Sequence, residues 1–139
     1  MDETTLRPGI SKENRVMVKG EHSAKSVGSG DVKVLSTPSM IAFMEATSRD
    51  LVQPYLPEGC TTVGTRVNVK HLSPAPVGQE IVVRSELIEV DGRRLVFRVE
   101  AFWRGNKVGE GTHERYVVSL NRFLEKVRRA VRTSTYSER

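Results

Sequence analysis

Residues 79–120 read QEIVVRSELIEVDGRRLVFRVEAFWRGNKVGEGTHERYVVSL and set the architecture of the chain. Hydrophobic and polar residues alternate through this segment, which is the pattern of half-buried β-strands. Asp91-Gly92 and Gly105-Asn106 interrupt the alternation and are typical of tight hairpin turns. Because short connections make consecutive strands neighbours, we predict an antiparallel meander. The first strand runs from about Gln79 to Val90, and the third from Lys107 to Leu120. The second strand carries on one face Leu95, Phe97, Val99, Ala101 and Trp103.

A single strong helix precedes the meander. Thr37 is a suitable N-cap, and Pro38 fits the first helical position, where its missing N–H costs nothing. The helix should end near Gln53-Pro54. Its apolar residues occupy much of the circumference, which predicts a helix buried against a sheet and a partner. These residues are Met40, Ile41, Phe43, Met44, Leu51 and Val52.

The remaining segments are shorter. After Gly59, period-two alternation predicts a strand with one shared face, formed by Val63, Thr65, Val67, Val69 and His71. We also expect short strands at Arg15–Lys19 and 32–36, a loop over 22–31 and a C-terminal helical end over 121–131. Residues 1–12 and 132–139 are expected to be loose.

Together these elements predict an α+β chain with a curved antiparallel sheet wrapped around one central helix, which is the hotdog fold. Gly109 and Gly111 share a face of the last strand, and such glycines mark a close approach of another backbone, here the helix. We expect residues 1–139 to form a single domain. One helix cannot cover both ends of such a sheet, so a homodimer is the natural completion, with a tetramer as a further step.

Composition and charge limit the cellular location and the partners that we expect for the protein. The chain is 37% hydrophobic and 28% charged, with one cysteine and no apolar run long enough to span a bilayer. Nothing resembles a secretory signal, so we expect a cytoplasmic protein without a membrane partner. The net charge of +5 favours an anionic partner. The excess lies near the C-terminus and fits either a solvated charged face or a phosphate site, and no nucleic-acid motif accompanies it.

Three polar residues stand out from their apolar surroundings. Glu45 lies on the helix stripe and is either a functional carboxylate or a surface residue paired with Arg49. His71 ends an apolar strand face and is either a core histidine or a site residue at a strand end. Thr37 lies eight residues before Glu45, about 12 Å along a helix, so a shared site needs an intervening group or a second subunit.

The sequence resembles the hotdog-fold thioesterases of the fluoroacetyl-CoA thioesterase type over residues 32–127. The resemblance is carried by STPSMIAFME (36–45), VGTRVNVKH (63–71), VDGRRL (90–95) and GTHERYVV (111–118). That family uses a threonine, a glutamate eight residues later and a histidine twenty-six residues further on, a spacing that Thr37, Glu45 and His71 reproduce.

The resemblance implies hydrolysis of an acyl-CoA to a free acid and CoA. The sequence has no ligand cluster at useful spacing, so we expect no metal and no redox cofactor. Glu45 would be the nucleophile or the base for water, His71 would handle protons, and Thr37 would position the carboxylate or the thioester. Backbone N–H groups near Gly64 would polarise the carbonyl. Arg115 would contact substrate, although ion pairing with Glu114 or Glu110 explains it equally well.

One departure concerns specificity. The fluoroacetyl-CoA enzymes carry a phenylalanine-bearing lid before the threonine, whereas GSGDVKVLS (28–36) has no aromatic residue. We therefore expect a more general short- or medium-chain acyl-CoA, or an aryl-CoA. Two alternatives remain open, a non-catalytic acyl-CoA-binding hotdog protein and an enoyl-thioester hydratase.

Overall fold

The computed structural model describes residues 6–137, with side-chain surroundings described up to Thr133. Five strands and three α-helices follow one another along the chain. The strands are β1 (Ser11–Met17), β2 (Cys60–His71), β3 (Glu80–Asp91), β4 (Arg94–Trp103) and β5 (Asn106–Ser119). The helices are α1 (Ala24–Val27), α2 (Thr37–Val52) and α3 (Leu120–Ser137), with 3-10 turns at Gly20–His22 and Gln53–Tyr55.

The strands form one antiparallel sheet in the order β1-β3-β4-β5-β2. The predicted meander is confirmed as β3-β4-β5, and the first hairpin turns at Gly92 and Arg93, one residue later than the predicted Asp91-Gly92, because Asp91 pairs with Arg94. The second turn lies one residue earlier than predicted, because Trp103 pairs with Asn106. Arg104 and Gly105 form it, both with positive φ (51° and 78°), the geometry that a two-residue hairpin requires.

Helix α2 crosses the inner face of this sheet. The predicted β4 face is confirmed: Leu95, Phe97, Val99 and Ala101 are fully buried. Met40 and Met44 are buried on the facing side of α2. A Cβ at Gly109 would collide with the sulfur of Met40, so helix α2 does approach β5 closely there, although through the Met40 side chain and not through the helix backbone as predicted.

The prediction for Gly111 needs correction. A Cβ at this residue would meet the backbone of β2, at Asn68 and Val69, rather than helix α2. The missing side chain of Gly111 therefore lets β5 and β2 approach each other closely.

Strand β2 contains a β-bulge that the sequence did not predict. Gly64 pairs with Arg115 and Arg66 with Glu114, so Thr65 is an extra residue in the ladder. Val63 pairs with Tyr116, whereas Val67 pairs with His113, and these two partners lie on opposite faces of β5. The predicted common face of Val63, Val67 and His71 is therefore wrong, because Val63 lies on the outer face.

The segments before α2 also differ from expectation. Residues 32–36 form no strand and make only isolated bridges, from Leu35 to Ser23 and from Val34 to Pro76. The expected loop over 22–31 contains helix α1. Strand β1 begins at Ser11, earlier than predicted, and Leu6 and Ile10 pack against the core.

The C-terminal helix is longer than predicted. Helix α3 runs to Ser137, past the expected end at Val131, so residues 132–137 are helical. Residues 1–5 and 138–139, the outer parts of the segments expected to be loose, lie outside the described residues. The described cations near the C-terminus are exposed, namely Arg122, Lys126, Arg128, Arg129 and Arg132. Glu125 pairs with the last three of them.

Candidate active site

Helix α2 begins one residue away from where the sequence suggested. Ser36 is the N-cap, and its hydroxyl accepts a hydrogen bond from the backbone N–H of Ser39. The prediction of Thr37 as the cap is therefore wrong, since Thr37 is already the first helical residue. Its hydroxyl is free for another partner and lies 2.8 Å from Nδ1 of His71.

His71 lies at the end of β2 and is half buried. Its Nε2 atom is buried and has no hydrogen-bond partner among residues 6–137. Burial lowers the pKa of His71 below its ordinary value of 6.5, and the backbone of Ser73 acts in the opposite direction. The ring is therefore neutral at neutral pH and has one nitrogen that no described residue uses.

Glu45 does not pair with Arg49, the alternative that helical spacing allowed. Arg49 instead contacts Asp50 at 2.7 Å. Oε2 of Glu45 lies 3.9 Å from Nη1 of Arg115, and its side chain remains 40% exposed. A Cβ placed on Gly64 would lie 2.7 Å from this oxygen. Glycine at position 64 therefore leaves the space that the carboxylate occupies, and Gly64 itself is exposed.

Arg115 is a buried cation, 6% exposed. Its Nε donates to the hydroxyl of Thr62 at 2.7 Å, and its Nη2 donates to the Thr62 carbonyl at 3.0 Å. Burial lowers the pKa of the Arg115 guanidinium, and the Glu45 carboxylate acts in the opposite direction. The group stays protonated at neutral pH, as arginine does in proteins.

The acidic neighbours of Arg115 in sequence have other partners. Glu114 pairs with Arg94 at 2.9 Å, and Glu110 pairs with Lys107 at 2.8 Å. The alternative explanation of Arg115 as a partner of either carboxylate is therefore wrong. The carboxylate that lies beside the Arg115 guanidinium is instead that of Glu45.

Sequence reasoning missed two residues of this cluster, His113 and Thr62. His113 is 1% exposed, and Nη1 of Arg115 lies 3.2 Å from its Nε2. A signal was present, because residues two apart on a strand share a face, and His113 lies between Gly111 and Arg115. The charged residue Glu114 next to it concealed this, since Glu114 points to the other face of β5.

The polar residues thus form two groups on the inner face of the sheet. The first, which we call the Glu45 cluster, consists of Glu45, Thr62, Gly64, His113 and Arg115. The second is the Thr37–His71 pair. Glu45 and Thr37 are about 12 Å apart along α2, and no hydrogen bond or ion pair among the described side chains joins the groups within one protomer.

Two further properties concern the part of the chain that the structure describes. No grouping of three His, Cys, Asp or Glu side chains there is arranged to hold a metal ion. None of its helices is both long and apolar enough to cross a membrane.

A curved antiparallel sheet around a central helix, with a carboxylate, a histidine and a buried arginine on its inner face, defines a hotdog-fold protein of the thioesterase class. The model of the fluoroacetyl-CoA-specific thioesterase family, FlK, matches residues 18–121. The fluoroacetyl-CoA thioesterase of Streptantibioticus cattleyicolor is 40% identical over 96 residues, which is 69% of this chain and 69% of that protein.

Solved structures agree with this match. The structure of the fluoroacetyl-CoA thioesterase FlK is 32% identical with a TM-score of 0.83, over 89% of this chain and 96% of that one. A thioesterase superfamily member from Thermus thermophilus is 26% identical with a TM-score of 0.87, over 94% and 96%. The chain therefore belongs to the fluoroacetyl-CoA-specific thioesterase family, whose members are thioester hydrolases.

Proposed function

We propose that this protein is an acyl-CoA thioesterase that hydrolyses the thioester to a free acid and CoA. The observation that carries the proposal is the position of Glu45. Its carboxylate is half exposed and lies beside a glycine backbone and a buried guanidinium, 3.9 Å from the latter. A carboxylate that is neither tightly paired nor fully solvated suits attack on a carbonyl, and the nearby cation suits the oxyanion that forms.

Two routes use this carboxylate. In one, an oxygen of Glu45 attacks the carbonyl carbon, the carbon–sulfur bond breaks, and water then hydrolyses the resulting anhydride. In the other, Glu45 takes a proton from a water molecule that attacks the same carbon. In both routes the negative charge collects on the carbonyl oxygen, which the backbone N–H groups near Gly64 and the charge of Arg115 would stabilise.

The Thr37–His71 pair would handle the leaving group. In this proposal His71 gives the CoA thiolate the one proton that it needs to leave as a thiol. The hydroxyl of Thr37 fixes the ring through Nδ1, 2.8 Å away. An orienting hydrogen bond of this kind is how a histidine base is usually held.

We further propose that the protein is a homodimer and that the two groups meet at the interface between its protomers. We also propose that it works in the cytoplasm, where the free Cys60 stays reduced. Within one protomer the separation along α2 is too long for direct contact. Strand β2, which carries Gly64 and His71, lies at an edge of the sheet. A second copy paired at this edge would place one protomer's His71 near the other's Glu45.

The acyl group is proposed to be a short- or medium-chain acyl or an aryl group. Residues 28–36, which lead into α2, contain no aromatic side chain. Val32 in this segment is 61% exposed. A mutant of the related fluoroacetyl-CoA enzyme has been solved with fluoroacetate and CoA, which supports CoA as the common part of the substrate.

The test is thiol release from a panel of acetyl-, fluoroacetyl-, hexanoyl- and phenylacetyl-CoA. Wild type is compared with Glu45→Ala and Glu45→Gln, and with Glu58→Gln as a control on an exposed carboxylate outside the site. We expect wild type and the control to release CoA, and the Glu45 variants to lose at least about a thousandfold in kcat. If the wild type binds CoA esters but releases no thiol from any of them, the protein is a binding module.

A further inference from the structure

The ion pair between Glu45 and Arg115 is open. An arginine beside a carboxylate normally closes to N–O distances of about 2.7–2.9 Å, often with two parallel hydrogen bonds. Here the shortest separation is 3.9 Å, beyond hydrogen-bond length. Closing the pair requires the guanidinium or the carboxylate to move, so groups that fix the guanidinium favour the open arrangement.

Three hydrogen bonds fix the guanidinium, two of them to Thr62 and one to His113. Thr62 accepts from Nε and from Nη2, through its hydroxyl and its carbonyl. Nη1 lies 3.2 Å from Nε2 of His113. One proton of Nη1 is then used by the histidine, and no described residue accepts the other in a hydrogen bond.

The tautomer of His113 follows from its other nitrogen. Nδ1 lies 2.8 Å from the carbonyl oxygen of Arg66, which can only accept, so Nδ1 carries the proton. Nε2 of the neutral ring is therefore an acceptor and faces the arginine. The ring is 1% exposed and stacks on Phe97 with centroids 5.9 Å apart, which fixes its plane.

We propose that His113 is a positioning residue that, together with Thr62, holds Arg115 back from Glu45 and so keeps the carboxylate unpaired for catalysis. The inference rests on the proposed function for its kinetic consequence. The remaining Nη1 proton stays available for the substrate carbonyl, next to Gly64. A closed ion pair would occupy both the carboxylate and this donor, and would leave neither for the thioester.

Two substitutions test the roles of the two ring nitrogens of His113 one at a time. The amide of an asparagine side chain lies where Nδ1 lies in histidine, so His113→Asn keeps a donor for Arg66 but cannot reach Arg115. The amide oxygen of glutamine lies near the position of Nε2, so His113→Gln keeps an acceptor for Arg115. Thr62→Val removes the hydroxyl acceptor at nearly unchanged volume and tests the same restraint from the other side.

We expect His113→Asn to lower kcat about tenfold with little change in KM, and to move the acidic limb of the pH–rate profile to lower pH. Thr62→Val should act in the same direction, whereas His113→Gln should stay within about threefold of wild type. Crystal structures of the variants provide a readout that does not need turnover. We expect the distance from Nη1 of Arg115 to Oε2 of Glu45 to close to about 2.8 Å in His113→Asn.

An unchanged distance in His113→Asn and Thr62→Val would overturn the inference. Equal kinetic losses in His113→Asn and His113→Gln, with an unmoved pH profile, would show that the histidine only supports the fold. If the wild type releases no thiol, the proposed function fails, while the distance measurement still decides whether His113 restrains Arg115.

Discussion

The Glu45 cluster and the Thr37–His71 pair lie on the same face of one sheet, yet they are built differently. In the Glu45 cluster a buried arginine makes three hydrogen bonds to two neighbours, and a buried histidine is bonded at both nitrogens. The pair consists of one hydrogen bond between an exposed threonine and a half-buried histidine. One group is complete within a protomer, and the other still has an unused nitrogen.

This difference separates two tasks. Electrostatic stabilisation requires charges and donors that are fixed before the reaction, because their reorganisation would cost energy during it. Proton transfer requires a group with a free lone pair that can reach a substrate atom. The fixed arginine suits the first task, and the incompletely bonded His71 suits the second.

After the loss of Glu45 itself, the largest effect should come from filling the space at Gly64. In Gly64→Ala the new methyl group would lie 2.7 Å from Oε2 of Glu45 and 3.3 Å from Nη1 of Arg115, so both must move. Displacements of this size typically cost about a hundredfold in rate, and we expect kcat to fall by that amount. Gly20→Ala is the control, since a Cβ there meets no atom within 4 Å. Normal turnover in Gly64→Ala would show that the cluster tolerates rearrangement.

A smaller effect should come from the hydroxyl of Thr37. Thr37→Val removes the hydrogen bond to His71, which is worth about 1 kcal/mol, and should lower kcat about fivefold. Thr37→Ser keeps the hydroxyl and should retain most activity.

The neighbouring hydroxyl provides a matched control. Ser36→Ala removes the helix cap and should lower the free energy of unfolding by about 1 kcal/mol with little change in kcat. Urea unfolding and initial-rate kinetics on the same preparations separate the two residues. A larger stability loss for Thr37→Val than for Ser36→Ala would contradict the observed cap.

The smallest effect concerns stability at mildly acidic pH. Burial lowers the pKa of His113 and of His71 below 6.5, so the unfolded chain binds more protons than the folded one between 6.5 and the lowered values. The free energy of unfolding should therefore fall as the pH drops through this window. We expect His113→Gln to remove more of this dependence than His71→Gln, because His113 is fully buried. Urea unfolding at pH 7.5, 6.0 and 5.0 measures it, and equal slopes in both variants would refute the ranking.

Much of the fold follows from local pattern. The alternation in residues 79–120 and the glycines at the turns are local signals, so the meander and its inner face are predictable. Adjacent residues with equal propensity are not distinguishable in this way. Ser36 and Thr37 are both good caps, and only the position of His71, 34 residues away in sequence, shows which hydroxyl is used elsewhere.

The site was predictable only in part, because only some of its residues contrast with their neighbours in sequence. Glu45 and His71 stand out because each interrupts an apolar pattern. His113 lies in the charged run HERY and has no such contrast, since its burial depends on which face of β5 meets α2. The partnership of Arg115 with Thr62 joins residues 53 apart in sequence and is set by strand register.

The bulge at Thr65 determines which side of β2 the residues after it face. Gly64 and His71 are separated by an odd number of positions, so in a regular strand they would project from opposite sides. Because Thr65 is an extra residue, Gly64 and His71 face the same side of the sheet. Their partners on β5, Arg115 and Gly109, are separated by an even number of positions. A chain that lost Thr65 would have to turn either its glycine or its histidine outward. The length of the segment from 64 to 71 is thus as constrained as the identity of its ends, and an insertion or deletion there would separate the two groups without changing any of their residues.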